Sequence, residues 1–223
     1  MRSRSTLVCS LLALSLVPLA SRAAVAAPTT NSPPKIDLVI AVDVSGSMRG
    51  LIDATRLKMW DVVRLLGRAQ PTPQIRVGLV SFGGKHHDAR AGYVRKEIDL
   101  TADLDAVAAR LFALQIEGSR EYVARAVQIS TRAMAWDQGA RSLKILFVAG
   151  NESAHQDPAV MLSAALAEAR QRGIHVNTIY CGKPASTDAY AWRQAAALGG
   201  GEFAAIDHNE SVVARTSPYD AEL

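Results

Sequence analysis

Two near-continuous apolar runs, residues 36–42 (Ile-Asp-Leu-Val-Ile-Ala-Val) and 143–148 (Leu-Lys-Ile-Leu-Phe-Val), most constrain what this chain can fold into. Each is too short for a buried helix and carries apolar side chains at both alternating phases, so each reads as a strand covered from both sides. The segments between and around them switch period. Residues 51–69 place Ile52, Met59, Val63 and Leu66 on one side at helical spacing, whereas residues 75–82 alternate Ile75, Val77 and Leu79 as a strand does. Gly83-Gly84 ends that strand, and residues 93–100 follow as a more charged strand suited to a sheet edge. Helices are expected over 102–114, 121–136, 158–172 and 189–198, with further strands at 174–180 and 202–206. Strands that alternate with helices in this way predict an α/β domain with a mostly parallel sheet and helices on both faces.

The ends of the chain read differently. Residues 1–26 have the pattern of a secretory signal peptide: Arg2 and Arg4, an apolar core from Leu7 to Ala20, and Ala24-Val25-Ala26 as a small-residue cleavage site. The core is 14 residues long, short of the roughly 20 needed to span a bilayer, so no stable membrane span is expected once the leader is cut. Residues 27–34 form a Pro-rich linker, residues 35–210 the domain, and residues 211–223 a tail whose Ser217-Pro218 resembles the start of a truncated helix. The formal charge of +4 includes three leader arginines and no leader acids, so the mature chain carries +1. Without a basic stripe interleaved with aromatics, nucleic acid is not an expected partner. The expected location is secreted or periplasmic.

The chemistry concentrates where the first strand ends, at Asp43-Val44-Ser45-Gly46-Ser47. One carboxylate and two hydroxyls spaced two apart make a hard, all-oxygen set of the kind Mg2+ or Mn2+ accepts. In an open α/β sheet, ligands gather at the carboxyl ends of the strands, and two more loops share that edge: Glu117-Gly118-Ser119 and Ala149-Gly150-Asn151-Glu152. A plainer reading has the Asp and Ser side chains capping backbone N–H groups at a strand-to-helix turn.

Asp-x-Ser-x-Ser after an apolar strand, followed by Met48, resembles the von Willebrand factor type A domain and its metal-ion-dependent adhesion site. The resemblance covers residues 35 to about 206, and Trp136 with the stretches 143–150 and 173–182 looks most like bacterial secreted members. It implies a Rossmann-like three-layer sandwich whose mostly parallel central sheet has one antiparallel edge strand. It further implies a protein partner that supplies an acidic side chain to the open metal position. The family completes its site with a Thr before a later helix and an Asp after the fourth strand. Ser119 matches the Thr position and keeps the hydroxyl; the Asp position falls on Gly150 or Asn151, of which Asn151 offers an amide oxygen. The implied metal set is therefore Asp43, Ser45, Ser47, Ser119 and Asn151, weakened by the missing acid unless Glu152 or Asp157 helps through water. The alternative is a scaffold module with a degenerate site that works without metal.

Other residues point elsewhere less strongly. His86-His87-Asp88 reads as a solvated loop, because adjacent side chains diverge and no Cys is near to complete a zinc set. His155 and Asp157 read as an exposed loop on the site edge. An enzyme is not expected: the Gly-x-Ser-x-Gly elbow and a phosphate-binding glycine loop are both missing. Cys9 leaves with the leader, so Cys181, at the end of an apolar strand, reads as a buried inert thiol. Trp60, Trp136 and Trp192 are expected to pack within helices.

Overall fold

The structure is a computed structural model that describes residues 33–206; the leader, most of the linker and the tail lie outside the described residues. The chain runs β1 (Lys35–Asp43), α1 (Ile52–Leu66), β2 (Gln74–Phe82), β3 (Val94–Thr101), α2 (Leu104–Phe112), α3 (Val123–Ala133), β4 (Ser142–Gly150), α4 (Leu162–Gln171), β5 (Ile174–Cys181), α5 (Thr187–Gly199) and β6 (Gly200–Ile206). These strands form one six-stranded sheet in the order β3-β2-β1-β4-β5-β6. All neighbours pair in parallel except β2 and β3, which makes the charged strand an antiparallel edge, as its sequence suggests. Among the described residues no helix is long and apolar enough to cross a membrane.

The two apolar runs became the two central strands for the reason their composition gives. From Ile36 to Asp43 every residue of β1 is buried. Leu38, Ile40 and Val42 point to one face with Met59 and Val63 of α1 and Val107 and Leu111 of α2. Val39 and Ala41 point to the other, into a layer with Ala126 and Val127 of α3, Leu166 of α4 and Trp192 of α5. Burying each such side chain contributes roughly 1.5–3 kcal/mol, so a one-residue slip of β1 would move every one of these contacts to the wrong face. The one acid inside the run, Asp37, is only 2% exposed. Its cross-strand neighbour Arg76 answers it with two hydrogen bonds, 2.9 and 2.7 Å, and the Asp137 amide donates a third at 2.6 Å. A buried carboxylate left without such partners would cost several kcal/mol.

The helices run one to four residues off their expected bounds at most ends, and at two of those ends a side chain gives the reason. Residues 158–161 stay outside α4 because Asp157 holds them in a turn: its Oδ1 accepts from the amides of Ala159 and Val160 while both oxygens bind Arg125. Helix α3 ends at Ala133, so Trp136 lies beyond it rather than within it, and its indole N–H donates back to the Ser130 carbonyl at 3.0 Å.

Candidate metal centre

The strand order fixes where a ligand can sit. Chain order reverses between β1 and β4, which run side by side while their crossovers leave in opposite directions. A crevice forms at the carboxyl ends of two such strands. Asp43 is the last residue of β1, and Asn151 follows the last residue of β4. The third contribution comes from the segment before α3. Its backbone is stitched to both neighbouring loops, with Gly46 N–H donating to Gly118 O (3.0 Å), Glu117 N–H to Val44 O (2.9 Å) and Lys85 N–H to Glu117 O (2.7 Å). Gly118 has φ +135, and a Cβ there would overlap the Gly83 carbonyl, so only glycine permits this threading.

Within the crevice the oxygens outnumber the protons. Ser45 Oγ and Ser47 Oγ are 2.8 Å apart. Ser47 Oγ also lies 3.1 Å from Asn151 Oδ1 and 3.4 Å from Glu121 Oε1. A serine hydroxyl has a single proton, so Ser47 cannot satisfy all three neighbours. Two more oxygens, Asp43 Oδ2 and Glu121 Oε2, are buried and have no hydrogen-bond partner. Neither carboxylate belongs to any ion pair among the described residues. A native structure leaves few buried polar atoms unpartnered, and a missing ion is one of the standard reasons. The donor set fits a hard divalent cation: two carboxylates, two hydroxyls and an amide oxygen. Asp43, Ser45 and Glu121 form a buried floor, with Ser47 exposed and Asn151 half-buried at the rim.

Asp43 is the electrostatic centre. Burial pushes its carboxyl from an ordinary 3.8 up to about 7, opposed by the hydrogen bond from the Ser45 amide and by the nearby Ser45 hydroxyl and Asn151 amide, and reinforced by the charge of Glu152. The Ser45 amide donates to Asp43 Oδ1 at 2.8 Å, so half of the capping reading holds. The other half does not: the Ser45 side chain accepts no helix N–H and points at Ser47 instead.

The predicted residues divide. Asp43, Ser45, Ser47 and Asn151 are brought together. Ser119 is exposed and joins none of these hydrogen bonds. Gly150 offers no side-chain ligand, and a Cβ there would press on the Trp192 ring at 3.0 Å and on Asp43 Cβ at 3.3 Å. Asp157 is committed to Arg125 with a side chain only 1% exposed, so it is neither an exposed loop residue nor a helper at this site. His87 also departs from the solvated loop expected for it. It is buried, its Nδ1 faces the Tyr93 carbonyl at 2.9 Å, its Nε2 faces Ser81 Oγ at 3.2 Å, and burial lowers its pKa. Sequence reasoning missed Glu121, because an acid at the head of a helical segment reads as a complement to the helix dipole. In fact α3 begins at Val123, which leaves Glu121 in the loop.

Comparison with known proteins settles the lineage. The family profile of the von Willebrand factor type A domain matches residues 37–205. The chain belongs to that family. Its members are protein-interaction modules that commonly hold a divalent metal at the adhesion site. A sequence search among curated proteins finds no match. Among solved structures, the VWA domain of SpRpn10 superposes with a TM-score of 0.57 at 14% identity, over 79% of this chain and 90% of that one. Proximal thread matrix protein 1 from the mussel byssus, in a form with a zinc-occupied MIDAS motif, gives 0.58 at 10% identity over 78% of this chain. The pilus adhesin SpaC from Lactobacillus rhamnosus GG gives 0.54 at 16% identity over 79%. This chain spans 42% of the mussel protein and 28% of the adhesin, and at such identities the likeness is one of fold.

Proposed function

We propose that this domain binds a protein partner through a divalent cation, Mg2+ or Mn2+, held by Asp43, Ser45, Ser47 and Asn151, and that it works as a secreted or periplasmic binder rather than an enzyme. The observation that carries the reading is the pair of orphaned carboxylate oxygens beneath a rim of hydroxyl and amide oxygens. When bound, the cation supplies a Lewis-acidic point of attachment for an acidic side chain of the partner. The chain's own part is to hold the ligands in place. The Ser45 amide fixes one oxygen of Asp43, and the Trp192 indole N–H, donating to the Glu152 carbonyl at 2.8 Å, fixes the loop that carries Asn151. Export rests on the leader pattern of residues 1–26.

Calorimetric titration with Mg2+ and Mn2+ tests this on the wild type and Asp43→Ala. The wild type should show saturable binding that the variant lacks; identical flat traces would end the proposal. Capture of a partner from envelope extract should then be lost in EDTA. Capture that survives the chelator would favour a metal-independent scaffold.

A further inference from the structure

The sequence pattern leaves the site one charge short, since Asn151 stands where the family pattern has an acid. The fold brings in a charge from another direction. Glu121 is 4% exposed, its Oε2 has no partner, and its Oε1 lies 3.4 Å from the Ser47 hydroxyl. Gly83 lies between the two acidic side chains. A Cβ at this residue would stand 2.9 Å from Asp43 Oδ1, 3.4 Å from Ser45 Cβ and 3.5 Å from Glu121 Cγ, so both acids pack against the same glycine. The segment that delivers Glu121 is held by the Gly83–Arg120 bridge and by the Gly46-to-Gly118 hydrogen bond. Its position is thus set by backbone, not by a flexible side chain reaching across solvent.

On the footing of the metal reading above, we infer that Glu121, and not Ser119, is the ligand contributed from the loop before α3. The site is then a two-carboxylate centre in which Asp43 and Glu121 together match the double charge of the ion. Ser119, exposed and two residues away, has no part in it. A charged ligand in place of a neutral hydroxyl has a functional consequence. Ligand charge count is a main determinant of affinity for hard cations, so the free domain holds its ion before any partner arrives. The partner's acidic group then docks onto a loaded site and is not needed to assemble it. An isolated buried carboxylate is expensive, which is the physical reason to expect an ion there and not a bare pair of acids.

The experiment is a Mn2+ titration of the purified full chain, comparing wild type, Glu121→Gln and Ser119→Ala, with water-proton relaxation read on the Mn2+-loaded samples. Glu121→Gln should weaken Mn2+ binding tenfold or more, because the amide oxygen that remains carries no charge, and each bound ion should relax water more strongly where water displaces that weaker ligand. Ser119→Ala should stay within twofold of wild type on both measures. Melting in EDTA separates ligation from folding: Glu121→Gln should melt at or above the wild type, because it removes an unpartnered buried charge. Mn2+ affinity and relaxation unchanged in Glu121→Gln, in a wild type that binds Mn2+, would overturn the inference. So would a variant that melts well below wild type in EDTA, which would make Glu121 a structural residue. A wild type that binds no Mn2+ would instead remove the metal reading beneath it.

Discussion

In the absence of metal, Asp43 should make this domain less stable as pH rises. Its carboxyl titrates near 3.8 when exposed and at about 7 when buried. Below 3.8 it is protonated in both states, and its folded environment costs nothing extra. Between 3.8 and about 7 the unfolded chain has released a proton that the folded chain still holds, so stability falls with pH. Above about 7 the loss is complete and amounts to about 4 kcal/mol. That is a large share of the roughly 5–15 kcal/mol available to a domain. Asp43→Asn keeps the shape and the oxygen that accepts from the Ser45 amide, but cannot ionise. Urea denaturation in EDTA at pH 5, 6, 7 and 8 should therefore show the variant gaining on wild type by about 2–3 kcal/mol across that range, since other titrating groups cancel in the difference. Saturating Mg2+ should reverse the order, rescuing wild type and leaving the variant unchanged. Parallel pH curves for the two proteins in EDTA would refute the reasoning, because they would mean that Asp43 is not buried against the ordinary pull of water.

Metal at a hundred times its dissociation constant should stabilise wild type by about 2.7 kcal/mol, measured as a rise in urea midpoint that EDTA abolishes. Gly83→Ala should cost about 1–3 kcal/mol and weaken Mn2+ binding, because Gly83 has φ +82 and the new methyl would press on Asp43 Oδ1; calorimetry and urea melts read both effects. Trp192→Phe removes the hydrogen bond to the Glu152 carbonyl and should lower stability by about 1 kcal/mol and loosen metal binding through the Asn151 loop. Cys181 is 1% exposed, and burial pushes its thiol up to about 12. A thiol reagent at pH 8 should leave the native protein unlabelled and react fully in guanidinium, with gel mobility unaffected by reductant.

Elements with a strong apolar pattern are legible in the sequence. β1 declared itself because a strand buried on both faces is apolar at nearly every position; β4 reads the same way, yet its Leu143 is exposed and its Ile145 and Phe147 are only half-buried, so one of its faces is covered less than its composition suggests. The charged strand declared itself as an edge for the converse reason. What stayed hidden was set by tertiary pairing. Asp157 looked like a loop acid with Pro158 opening a helix, yet Arg125, 32 residues earlier, holds its carboxylate and withholds the first turn. His87 looked solvated because adjacent side chains diverge and no Cys stands near to complete a metal set, whereas Ser81 and the Tyr93 carbonyl enclose it. No local pattern announces either partner.

The same distinction runs through the site itself. Asp43, Ser45 and Ser47 are legible because one strand-to-helix turn carries all three, and the turn's geometry alone can bring their oxygens together. Asn151 is legible one step less directly, through the rule that parallel neighbours end at the same edge. Glu121 is the case where local reading misleads. The sequence places Ser119 and Glu121 two residues apart in the same segment, and the serine carries the expected chemistry. Which of the two faces the crevice depends on how that segment threads past Gly83 and Gly118, where the missing side chains let two backbones touch. The glycines therefore do more than turn the chain. By admitting segment 117–120 beside the loops that follow β1 and β2, they bring Glu121 to the crevice that holds Ser47. The motif residues carry one carboxylate, and the threading of this segment adds the buried Glu121 beside the Ser47 hydroxyl.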